Sequence, residues 1–147
     1  MVIGIATGGG VGYMPFAPGT FGSLLGVVLY VGLAALPLMV YGVVVAALAL
    51  VGVWISTEAE QLLGQKDASV IVIDEVVGIL IALWGISLGH EVSIALGFGL
   101  FRLFDIIKPW PALEQLPRGW GVMMDDVFAG VLALAVLHAW FWLALIR

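Results

Sequence analysis

The sequence contains no cysteine, so it forms no disulfide, presents no thiolate nucleophile and binds no metal through sulfur. Histidine is almost as scarce, with only His90 and His138, which leaves oxygen as the donor for any metal chemistry. Charge is thin as well. Charged residues make up 10% of the chain, against roughly a quarter in an ordinary soluble domain, and none occurs before Glu58. Five lysines and arginines, scattered along the chain, form no basic patch, which excludes a nucleic-acid partner. No basic stretch precedes the first apolar run, so no cleavable targeting signal is expected and the N-terminus should be retained.

What remains is 63% hydrophobic over 147 residues, the composition of an integral membrane protein. The expected fold is all-α: a single-domain, polytopic membrane bundle of about five hydrophobic helices, the first short or re-entrant. The glycine run Gly8-Gly9-Gly10-Val11-Gly12, followed by Pro15 and Pro18, reads as an irregular loop. It is not a nucleotide-binding P-loop, because no Gly-Lys-Ser/Thr follows. Hydrophobic segments are then predicted over 21–36, 38–56, 70–88, 92–107 and 127–146. A polar loop spans 57–69, Pro109 stops the fourth segment, and Asp125 and Asp126 precede the fifth.

The stretch Val70-Ile71-Val72-Ile73-Asp74-Glu75-Val76-Val77-Gly78 carries the strongest signal. It sinks two adjacent carboxylates among branched apolar residues. An unpaired buried carboxylate costs several kcal/mol at least, so each needs a proton, a basic partner or a cation. Basic residues favour the cytoplasmic side, and Lys66, Lys108 and Arg118 fall in loops that share one side, leaving Arg147 alone opposite. Five crossings then gather Thr20, Ser23, Glu60, Asp74, Glu75, Arg102, Asp105, Lys108, Asp125 and Asp126 at the cytoplasmic face. So many intramembrane ionisable groups at one interface mark a functional pocket. Such acids cannot all stay ionised without compensation, and Mg2+, which prefers oxygen ligands, would supply it. Arg102, Asp105 and Lys108 recur every three residues, so two cations on one helix face could grip a phosphate. Simpler roles compete: Thr20 as a helix cap, Gly22 and Gly26 as a packing surface, Arg102 and Lys108 as snorkelling partners of Asp105, and Asp125-Asp126 as helix-start acids. His138, Trp140 and Trp142 read as structural groups at the far interface.

Four motifs in order resemble the bacterial phosphatidylglycerophosphatase A family. They are Ala17-Pro18-Gly19-Thr20-Phe21-Gly22-Ser23; Lys66-Asp67 with Ile73-Asp74-Glu75-Val76-Val77-Gly78; Phe101-Arg102-Leu103-Phe104-Asp105-Ile106-Ile107-Lys108-Pro109-Trp110-Pro111; and Gly121-Val122-Met123-Met124-Asp125-Asp126-Val127-Phe128-Ala129-Gly130. Two departures stand out: the loop 112–120 is short, and Arg118 occupies a position where the family pattern suggests glycine. The resemblance implies a Mg2+-dependent membrane phosphatase of the bacterial inner membrane, removing the terminal phosphate of phosphatidylglycerophosphate in phospholipid synthesis. In that reading Asp74, Glu75 and Asp126, with Glu60, hold the metal, and Asp105 or Asp125 orients water or acts as base. Arg102 and Lys108 bind nonbridging oxygens, with Thr20 and Ser23 completing the cradle. A phosphatase for another lipid phosphate or a polyprenyl pyrophosphate, and a small carboxylate-based ion transporter, remain the competing expectations, and oligomeric state is left open.

Overall fold

The computed structural model describes residues 1–108, 110, 112–113 and 115–145. Pro109 and Pro111, where the fourth segment was expected to stop, and Arg147, the expected lone charge on the far face, lie outside them. The described residues form an all-α protein: α1 (Val2–Ala6), α2 (Pro18–Leu33), α3 (Leu38–Leu63), α4 (Ile73–Ala82), α5 (Glu91–Ile107) and α6 (Gly119–Leu145). A 3-10 turn, Val11–Tyr13, lies between the first two.

Five membrane-crossing helices were expected, but two described helices are long and apolar enough: α3 and the Gly119–Trp142 part of α6. Crossing a bilayer takes about 20 residues, and α2, α4 and α5 have 16, 10 and 17. Neither long helix is mostly buried as a soluble core helix would be, with 28% of the apolar window of α3 and 50% of that of α6 buried. Val43, Leu50 and Trp54 of α3, Val28 of α2 and Trp140 and Trp142 of α6 all stand exposed. Such a surface suits lipid rather than water.

Helix boundaries moved for identifiable reasons. Pro18 opens α2 three residues early, where its missing N–H costs nothing. α3 runs on through the expected polar loop to Leu63 and ends at Gly64, whose left-handed φ of 66° closes it. α6 begins at Gly119, eight residues before its expected start, because the Gly119 N–H finds Thr57 Oγ1 on α3 at 3.1 Å. The expected third segment shrinks to α4, after which the chain turns at Gly85.

α4 is the centre of the bundle. Val76, Val77, Ile79, Leu80, Ala82 and Leu83 are buried under α2, α3, α5 and α6. Gly26 lets α2 approach, since a Cβ there would collide with Ile79, so the Gly22–Gly26 surface packs within the chain. The glycine run is not a free loop either. Gly12 lies against the Val70 carbonyl, and the Val72 N–H donates to Ala6 O at 2.8 Å, bracing the start of α4.

Ending a helix inside an apolar interior exposes carbonyls that must find donors. Tyrosines provide them. Tyr41 donates to Leu80 O at 2.7 Å and Tyr30 to Ile86 O at 2.5 Å, with the two rings edge-on at 6.4 Å. Tyr41→Phe should therefore cost about 1–3 kcal/mol by stranding a buried acceptor. The expected result is a lower thermal midpoint in detergent with unchanged KM.

Candidate active site

The polar groups meet at one end of the bundle because five element ends open there. α4 begins with Asp74 and Glu75 in its first turn. α5 brings Arg102 and Asp105 in its last turns and Lys108 at its end. α6 carries Asp125 and Asp126 about two turns inside its start, too deep for helix-start acids. Both are almost fully buried, at 3% exposure, which makes compensation obligatory.

Two groups of carboxylates share Asp126. One oxygen each from Asp74, Glu75 and Asp126 lie within 4.8 Å of one another, as do oxygens from Asp105, Asp125 and Asp126. Their partners differ. Arg102 Nη1 donates to Asp105 Oδ2 at 2.5 Å. Asp125 accepts from Trp110 Nε1 through Oδ1 at 2.7 Å and pairs through Oδ2 with Lys108 Nζ at 2.6 Å. Asp74 Oδ1, Glu75 Oε2, Asp125 Oδ2 and Asp126 Oδ2 are buried without a hydrogen bond, and of the four Asp125 Oδ2 has the Lys108 ion pair. The cations thus compensate Asp105 and Asp125, and the first group is left with three orphaned oxygens. These are hard oxygen donors, and they fit a divalent cation such as Mg2+.

A cavity of about 300 Å3 opens onto both groups, lined by Asp74, Glu75, Asp105, Lys108, Asp125 and Asp126, with Lys66, Asp67 and Ser69 from the α3–α4 loop. Burial works against the Lys108 ammonium, but the Asp125 hydrogen bond and charge outweigh it and raise the amine above the usual lysine range. It faces the cavity protonated. Among the described residues, four non-glycine residues hold left-handed backbone, at Ala17, Asp67, Lys108 and Arg118, with φ of 46°, 49°, 45° and 57°. They sit at the start of α2, in the α3–α4 loop, at the end of α5 and at the start of α6. Such conformations carry strain of order 1 kcal/mol or more and gather at functional sites. Arg118 takes this conformation where the motif pattern suggested glycine.

The remaining expected residues stand apart. Glu60 Oε1 accepts the Asp67 N–H at 2.8 Å and belongs to neither carboxylate group. Ser23 is fully buried and donates to Gly19 O at 2.8 Å within its own helix. Thr20 is half-buried and does not cap α2, whose N-cap, Ala17, makes no side-chain bond. Exposed His138 bonds Leu134 O of its own helix at 3.1 Å.

Three contributions escaped the sequence reading. Trp110, quoted in the third motif without a role of its own, is a hydrogen-bond donor; its position two residues after Lys108 was the available signal. Ser69 looked like an ordinary loop residue, and Asp67, though part of the second motif, was given no role in the site. Gly19 lies so close to Glu75 that a Cβ would collide with Glu75 Oε1 and come within 3.1 Å of Arg102 Nη1. Gly19→Ala should therefore displace Glu75 and lower turnover at least about tenfold, with a folded circular dichroism spectrum retained. In a metal titration, Asp126→Asn should raise the half-saturating Mg2+ concentration roughly tenfold or more, and Glu60→Gln should leave it within about twofold.

Comparison with known proteins agrees with the motif resemblance. Residues 4–141 match the family described as phosphatidylglycerophosphatase A. The chain is 34% identical over 137 residues to phosphatidylglycerophosphatase A of Escherichia coli, covering 91% of this chain and 80% of that protein. It is 39% identical over 140 residues to phosphatidylglycerophosphatase A of Haemophilus influenzae, covering 92% and 85%. A Bacteroides thetaiotaomicron protein, named provisionally as a phosphatidylinositol-3-phosphatase, is 37% identical over 147 residues, covering 94% and 92%. No solved structure matches. Near-complete coverage by the family and by these relatives, over a chain whose acids converge on one cavity, makes this protein a member of the phosphatidylglycerophosphatase A family of phosphatases.

Proposed function

We propose that this chain hydrolyses the terminal phosphomonoester of phosphatidylglycerophosphate to phosphatidylglycerol and inorganic phosphate, with Mg2+ as cofactor. The observation that carries the reading is the division of charge in the cavity: three buried, unpartnered carboxylate oxygens on Asp74, Glu75 and Asp126 beside two ion-paired cations, Arg102 and Lys108. Asp74, Glu75 and Asp126 would hold the ion. When bound, Mg2+ supplies positive charge that polarises the phosphoryl group and eases ionisation of the attacking water.

The chain's own groups do the rest. Arg102 and Lys108 bind the nonbridging oxygens and favour the charge that builds up as the phosphoryl group transfers. Asp105 orients the water and takes its proton as its oxygen attacks phosphorus. The phosphorus–oxygen bond to the lipid glycerol breaks, and the departing oxygen is protonated to give the alcohol. Asp105 suits this role better than Asp125, because Asp125 is already engaged on both oxygens, by the Trp110 N–H at Oδ1 and by the Lys108 ion pair at Oδ2. Thr20 and the first turn of α2 border the phosphate. Ser23 supports that turn, and Glu60 holds the α3–α4 loop. The whole chain acts as one domain, multi-pass in the bacterial inner membrane. Its cavity end, with Lys66, Lys108 and Arg118, faces the cytoplasm.

The provisionally named Bacteroides relative motivates a second reading, a phosphatase for another lipid phosphate. Phosphate release by the detergent-purified protein separates the two, using phosphatidylglycerophosphate, phosphatidic acid, phosphatidylinositol 3-phosphate and a polyprenyl pyrophosphate, each with Mg2+ and with chelator. Mg2+-dependent release from phosphatidylglycerophosphate above the others is expected, falling at least about a hundredfold in Asp74→Asn. Preferential release from phosphatidylinositol 3-phosphate would replace the substrate, and release undiminished by chelator would remove the metal.

A further inference from the structure

Asp125 and Asp126 are neighbours in sequence with opposite circumstances. Asp126 keeps a buried oxygen without a hydrogen-bond partner, whereas Asp125 accepts the Trp110 N–H through Oδ1 and is ion-paired with Lys108 through Oδ2. Both donors, Lys108 and Trp110, belong to the segment that leaves α5, and Asp125 is on α6. A single carboxylate therefore ties the α5–α6 connection to the next helix. It does so at the residue whose ammonium lines the cavity.

Lys108 needs such a tie. Its side chain is long and flexible, and its backbone is held in the left-handed region at φ 45°, an unfavourable conformation for lysine. Trp110 pins the carboxylate that pins the lysine, and its ring rests against Phe128, one turn beyond Asp125 on α6, with centroids 6.0 Å apart. The indole N–H thus fixes the rotamer of Asp125, and its ring fixes the indole. A half-buried tryptophan favours a partner for its N–H, but a backbone carbonyl would have served. Here the acceptor is a carboxylate already engaged with a cavity cation.

We infer that Trp110 and Asp125 are positioning residues for the reaction: the chain Trp110–Asp125–Lys108 holds the Lys108 ammonium at the phosphoryl-binding position, and Asp125 serves neither as base nor as metal ligand. This rests on the phosphatase reading only in calling the anion a phosphoryl group; the geometry calls for an anion at Lys108 in either case.

A double-mutant cycle tests it, with binding of inorganic phosphate in the presence of Mg2+ as the readout. Trp110→Phe keeps the ring contact with Phe128 and removes the N–H. It should weaken phosphate binding roughly five- to tenfold and raise KM more than it lowers kcat. In a Lys108→Met background the same change should alter phosphate affinity by less than about twofold, because the residue it acts through is gone. As an independent readout, the Trp110 indole resonance of 15N-labelled protein should shift on saturation with phosphate in the wild type but not in Lys108→Met. Equal losses in both backgrounds, no loss in either, or an indole insensitive to phosphate would overturn the inference. Turnover of phosphatidylglycerophosphate measured on the same proteins keeps the two ideas separate. Coupling without lipid turnover overturns the substrate, and turnover without coupling overturns the positioning chain.

Discussion

The cost of removing carboxylates from water governs this protein. Asp74, Asp125 and Asp126 are each at least nine-tenths buried, and Glu75 is half-buried beside them. An uncompensated carboxylate in such surroundings costs several kcal/mol, a large share of the whole stability of a small domain. The surrounding helices can be understood as arrangements that meet this cost. α5 ends by delivering Arg102 and Lys108 to Asp105 and Asp125. α2 approaches Glu75 with a glycine because nothing larger fits. What stays uncompensated, the three orphaned oxygens, is what a divalent cation would satisfy.

The same constraint acts on the backbone at the opposite end of α4. A ten-residue helix packed against its neighbours ends amid apolar side chains, which offer its last carbonyls no donors. The Tyr41 hydroxyl from α3 donates to Leu80 O in its last turn, and the Tyr30 hydroxyl from α2 donates to Ile86 O in the turn that follows. α4 is thus held at one end by neutral hydrogen bonds and at the other by charge. A rigid short helix so anchored keeps the first-turn acids in register with those of α6.

Asp125 and Asp126 show how far a sequence can be read. That two adjacent acids near the end of the polar motifs matter was visible from their type and apolar setting. Which one faces which partner was not. Neighbouring residues on a helix point about 100° apart, so the choice depends on how α6 is rotated against α4 and α5. The expected start of α6 was also eight residues late, because the donor-acceptor pair between Gly119 and Thr57 joins residues far apart in sequence. Glu60 illustrates the converse: its charge and its place at the same membrane face suggested a ligand, whereas in the structure its Oε1 accepts the Asp67 N–H.

By itself the sequence determined the apolar character of the chain, its helical make-up, and the gathering of acids and cations at one end. These follow from composition and from the alternation of hydrophobic segments with short polar connections. The order of the motifs, likewise, was enough to identify the family. Only the tertiary structure decided that α4 is short and central, that Trp110 belongs to the site, and that Asp105 and Asp125 are ion-paired while Asp74, Glu75 and Asp126 each retain an orphaned oxygen. The reason is physical. Hydropathy and charge are properties of single residues, but the neutralisation of a buried charge depends on distances of a few ångströms between helices, which no local pattern encodes.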